Sequence, residues 1–154
     1  MTYKYIMIAA GIFGLIQYFM NKDQFVRLIL GGLLVAITLT FVPIHNFDSA
    51  GILVFALTSF LAIIYAQTKS PIVKGKKLLI GLVALPIILI NIYAIQSLPH
   101  TDLVGLFSAV SVLAYLIIVF TNLPKYKAEI GFLTIMAVDA GIKLAMSLEV
   151  FLAN

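Results

Sequence analysis

The stretch "IMAVDAGIKLAMSLEVF", residues 135–151, carries an aspartate and a lysine through an otherwise apolar run. If this run is a helix, Asp139 and Lys143 stand four positions apart on one face, with the acid first, which is the favourable order for an ion pair. An unpaired acid or amine at the centre of a membrane helix costs about 2.5 to 3.5 kcal/mol, and such residues face a bundle interior or a wet cavity. We therefore read 129–151 as a transmembrane helix. At about 1.5 Å per residue, Asp139 then lies about 15 Å deep, near the bilayer midplane.

The rest of the chain supports a lipid solvent. Of its 154 residues 63% are apolar and only 10% charged, with a mean hydropathy of +1.16. Soluble domains are about half apolar and a quarter charged. There is no cysteine, which excludes disulfides, thiolate nucleophiles, iron–sulfur ligation and covalent c-type haem. The net charge of +4 sits mostly in short connections, where membrane orientation accounts for it, and we expect no nucleic-acid partner.

Runs of about 20 apolar residues occur at approximately 3–20, 25–43, 49–67, 77–97, 102–121 and 129–151. The fold class expected is an all-α membrane protein, one integral domain over 1–154 formed by a bundle of six transmembrane helices. A barrel is disfavoured because the runs lack period-2 alternation. "QYFMNKDQ" after the first run offers no small-x-small cleavage site, so that run is read as a retained helix rather than a signal peptide. Lys22, Arg27, Lys69, Lys74, Lys76, Lys77, Lys125 and Lys127 fall on one side and Lys4 on the other. The basic side is expected to be cytoplasmic and both termini outside, in a membrane of the bacterial inner, plasma-membrane type. Tyr3, Tyr5, Tyr18, Tyr65, Tyr93 and Tyr126 fall near helix ends, where amphipathic rings anchor.

"RLILGGLLVA" from Arg27 resembles "KLLIGLVALP" from Lys77, and "TKSPIVKGK" resembles "TNLPKYKAE". The chain reads as three tandem two-helix hairpins, weighed against chance matching of leucine-rich strings.

The candidate site residues form two groups. Asp139 and Lys143, with Asn91 and the mid-helix Pro86, make either an ion- or proton-binding constellation or a helix-pairing device, and the i, i+4 spacing favours the second. Pro86 is expected to free a backbone carbonyl near residue 82. On the opposite side, His45, Asp48, His100, Asp102 and Glu149 are candidates for convergence. Their spacing supports no metal site, since Asp48 and Asp102 also read as helix caps. Thr58, Ser59, Ser108 and Ser111 read as packing or back-bonding residues.

Ala137, Gly141 and Ala145 recur every four residues, on the side of the sixth helix away from the charged pair. A terminal helix with two protein-facing sides points to a membrane protein partner or a homo-oligomer. With no nucleotide loop, metal motif or nucleophile–base arrangement, no cofactor and no enzyme activity are expected. The first reading is a non-catalytic subunit or interaction partner within a membrane complex. The alternative is a proton- or ion-coupled small permease or channel centred on Asp139 and Lys143. A lipid enzyme using the histidines is a third.

Overall fold

The computed structural model describes residues 2–41, 47–69, 74–96 and 104–153. All regular structure among them is helical: α1 (Thr2–Met20), α2 (Gln24–Phe41), α3 (Phe47–Lys69), α4 (Lys74–Ile95), α5 (Ser108–Ile117) and α6 (Ile130–Ala153). Among the described residues four segments are long and apolar enough to cross a membrane, Tyr3–Met20, Gln24–Phe41, Ser49–Thr68 and Gly75–Ile95, and Ser108–Thr121 is a shorter apolar helix. The lipid-like exterior fits this, with Phe19, Phe120 and Leu152 at least three-quarters exposed. These features are consistent with an integral membrane protein.

Each helix packs on the next and α6 packs back on α1, closing a ring. We call the end holding residues 20–24, 69, 74 and 118–130 the basic end, and the other the far end. The short turn after α1 shows why helices restart at once: Asp23 Oδ1 accepts the Phe25 N–H at 2.8 Å, capping α2, and Asn21 Nδ2 donates to the Ala128 carbonyl at 2.6 Å.

Glycines set the closest approaches. A Cβ on Gly51 would stand 2.9 Å from the Ala36 carbonyl oxygen, so α2 and α3 touch backbone to backbone. A Cβ on Gly131 would stand 2.7 Å from Cβ of Gln17, which joins α1 to α6. Association of helices in lipid relies on such close packing, because lipid tails are as apolar as leucine.

Two expectations change. The fifth helix does not run as one α-helix over 102–121: regular α5 ends at Ile117, widens to a π-turn at Ile118–Asn122 and tightens to a 3-10 turn at Leu123–Tyr126. Pro124 has no N–H for the Phe120 carbonyl, so the regular ladder cannot continue there. The two-sided character of the last helix also has a source inside the chain. Helix α6 meets α1, α2, α4 and α5, and Phe132, Leu133, Ile135, Met136 and Ala140 are fully buried there. Of the small-residue row, Ala137 is packed, whereas Gly141 faces open space.

Candidate functional site

Helix α6 carries Asp139 and Lys143 as sequence spacing requires: Lys143 Nζ lies 2.6 Å from Asp139 Oδ2. The third member comes from α4. Lys143 Nζ also donates to Asn91 Oδ1 at 2.6 Å. An ammonium has donors only, so it fixes the Asn91 amide with its oxygen towards the lysine and its NH₂ away. That Nδ2 is buried and has no partner. The ammonium also stands 5.5 Å from the centroid of the Phe55 ring, within cation–π range.

The cluster is not sealed. Asp139, Lys143 and Asn91 lie on a cavity of about 430 Å³ bounded by α1, α2, α3, α4 and α6. Its remaining walls come from far-end turns, among them Met7, Ile37, Phe41 and Ile52, with Lys4 and Tyr3 on the first turns of α1. Asp139 and Lys143 keep 15% and 23% side-chain exposure, so the pair is open to this space, whereas the basic half of α6 is packed. Tyr3 closes one side of the far end by donating its hydroxyl to Glu149 Oε1, tying α1 to the last turns of α6.

Pro86 does not join this group. Helix α4 runs through it without interruption, and Pro86 lines a separate groove of about 600 Å³ between α3, α4 and α5. The carbonyls its ring disturbs are served from α5: Ser111 Oγ donates to the Val83 carbonyl at 2.8 Å, with the Leu82 carbonyl at 3.5 Å. Thr58 and Ser59 back-bond to Val54 and Phe55 at 2.7 and 2.9 Å. Of the far-side candidates, His45, His100 and Asp102 lie outside the described residues, and Asp48 is described only as part of the α3 backbone. Among the described residues no group of three His, Cys, Asp or Glu side chains could hold a metal.

A second polar cluster, at the basic end, was not singled out from sequence. Glu129, 2% exposed, receives Lys76 Nζ at 2.7 Å and the Tyr65 hydroxyl at 2.8 Å on the same oxygen, Oε1. Its other oxygen is buried without a partner. The Lys76 ammonium also stands 5.4 Å from the Tyr126 ring centroid. Burial first, and then the Glu129 charge, raises the Tyr126 hydroxyl above the ordinary tyrosine value, so it stays protonated. Tyr65 and Tyr126 are accordingly buried partners of an acid rather than interfacial anchors. The available signal was that Glu129 and Asp23 are the only acids among the basic connections.

Chemically, the far cavity is lined by a charged pair and by Asn91, whose amide nitrogen is buried, while the basic end holds an ion pair between the buried Glu129 and the partly exposed Lys76. No known protein family matches this chain, and no curated protein or solved structure matches it.

Proposed function

We propose that the chain is a small proton- or ion-coupled permease with Asp139, Lys143 and Asn91 at its centre. The observation that carries this reading is that the pair borders a cavity instead of being packed dry between helices. An intramembrane ionisable group on a wet cavity marks a solute or proton pathway by default. Protonation of Asp139, or a cation arriving at it, competes directly with Lys143 for the carboxylate, which couples occupancy to the position of the lysine. The Glu129–Lys76–Tyr65 cluster serves as the closed inner gate.

All six helices cross the bilayer in this proposal, as three tandem hairpins, with the basic end cytoplasmic and both termini outside, in a plasma membrane of the bacterial inner type. The test is pH-gradient-driven flux in liposomes for the wild type and Asp139→Asn. Equal flux from both, or none from either, removes the reading.

A second reading, a non-catalytic subunit of a membrane complex or a homo-oligomer, is favoured by one feature. Gly141, in the row with Ala137 and Ala145, has nothing within 4 Å of a Cβ placed on it, leaving a notch that a partner helix fits. Gentle solubilisation and mass measurement test it, and a strictly monomeric particle with no co-purifying partner would sink it.

A further inference from the structure

The outer surface of the bundle carries a groove that the proposed pathway does not use. It lies between α3, α4 and α5, has a volume of about 600 Å³, and runs from Gln67 and Lys77 at the basic end to Leu89 and Phe107. Its walls turn outward: Leu78, Leu82, Leu85, Leu89 and Phe107 are each more than a third exposed. Two adjacent lysines divide between the inside and the outside of the bundle, because neighbouring residues stand about 100° apart around a helix. Lys76 turns to the buried Glu129, and Lys77 lies on the groove. Among the described residues the Lys77 ammonium has one partner, the Gln67 carbonyl at 3.3 Å, which leaves two of its three N–H groups for another acceptor. No acid is among the described lining residues. One turn on, a Cβ placed on Gly81 meets nothing within 4 Å, so open space continues from the amine along the same face of α4. From Lys77 to Leu89 the groove follows α4 for about 18 Å, against about 15 Å for half of a hydrocarbon core.

The same placement recurs at the basic end of α2. Arg27, Leu28 and Gly31 are spaced as Lys77, Leu78 and Gly81 are, and they line a groove of about 340 Å³. Arg27 makes no ion pair among the described residues, and its guanidinium rests on the Tyr18 ring at 4.9 Å from the centroid. An outward-facing apolar groove in lipid takes a hydrocarbon chain, and a basic residue with spare donors at its mouth takes an anion. A phospholipid of net negative charge supplies both on one molecule. We propose that the groove between α3, α4 and α5 binds one anionic phospholipid, its phosphate accepting from the Lys77 ammonium and one acyl chain lying past Gly81 towards Leu89. This rests on α4 crossing the bilayer and is independent of the permease reading.

The chain has no tryptophan, so Phe107→Trp places a single fluorescent reporter in the groove. With the full chain in phosphatidylcholine bilayers, quenching of that tryptophan is compared for phosphatidylglycerol and phosphatidylcholine brominated on the same acyl chain. Phosphatidylglycerol is expected to be preferred about fivefold, the preference that one basic residue supplies at an anionic surface. In the reporter background Lys77→Gln is expected to abolish the preference and Lys77→Arg to keep it. Lys127→Gln removes an exposed charge from the same end but outside the groove, and is expected to leave the preference unchanged. Gly81→Leu retains the lysine but fills the open space, and is expected to weaken quenching by both lipids. Equal quenching by the two lipids with Lys77 in place, quenching by neither, a loss of preference in Lys127→Gln as large as in Lys77→Gln, or unaltered quenching in Gly81→Leu would overturn the inference. So would displacement of the brominated lipid by soluble glycerol 3-phosphate, since the site would then take a free phosphate. The lipid preference without proton-driven flux removes the permease reading alone, and flux without the preference removes this inference alone.

Discussion

The pair Asp139–Lys143 can be tested for structural and functional roles in one cycle of variants. Removing one partner of a fully buried pair costs about 3 to 5 kcal/mol, because the remaining charge is stranded, whereas solvent-exposed pairs are worth about 0 to 1 kcal/mol. With side-chain exposures of 15% and 23%, and with Asn91 still holding the lysine at 2.6 Å, Asp139 and Lys143 fall between these limits. Asp139→Leu and Lys143→Met should each destabilise by about 1 to 3 kcal/mol, or roughly 5 °C at about 2 to 4 °C per kcal/mol for a chain of this size. The double variant should lie within about 1 kcal/mol of wild type or above it, since apolar replacement of both partners strands nothing. Unfolding of the purified protein in lipid nanodiscs, by heat and followed by circular dichroism, measures all four species. Proton-driven flux in liposomes is measured on the same four. The permease reading requires the double variant to be as stable as wild type and inactive. Destabilisation of the double variant by the sum of the singles refutes the coupling, and full flux from it reduces the pair to a structural device.

Three further outcomes follow from the packing and the topology. Glu129→Ala removes the partner of the Lys76 ammonium, itself 18% exposed, and of the buried Tyr65 hydroxyl, so a loss of about 1 to 3 kcal/mol is expected in the same unfolding assay; a loss below about 0.5 kcal/mol would contradict the burial of Glu129. Gly51→Ala pushes a methyl group against the Ala36 carbonyl oxygen and should cost about 1 to 3 kcal/mol, while Gly141→Ala meets nothing and should gain up to about 1 kcal/mol from helix propensity. The reverse order of the two would contradict the packing. Because the chain has no cysteine, single cysteines at Ala153 and Lys125 report cleanly on sidedness: impermeant thiol reagents should label Ala153→Cys from outside and Lys125→Cys only after permeabilisation. Labelling of both from one side would remove the sixth crossing and every role given to the pair.

Composition and run length were sufficient for the helical class, because a chain this apolar must satisfy its backbone within each segment if it is to enter lipid. The ion pair of Asp139 with Lys143 was legible for a local reason too: an i, i+4 spacing puts acid and amine on one helix face within reach of each other. The role of Ser111 was half legible, since the carbonyl disturbed by Pro86 followed from chemistry but the helix that serves it did not. Which residues meet across helices was out of reach. Asn91 joins Lys143 and Pro86 does not, although the two stand five positions apart in α4. Glu129 opens the sixth apolar run and draws no role from the sequence, yet it is buried against Tyr65 and Lys76. These outcomes depend on the rotation of each helix about its own axis. In water an apolar stripe reveals that rotation, but in lipid the outward and inward faces are both apolar, so hydropathy carries no sign of it and only packing against neighbours sets it.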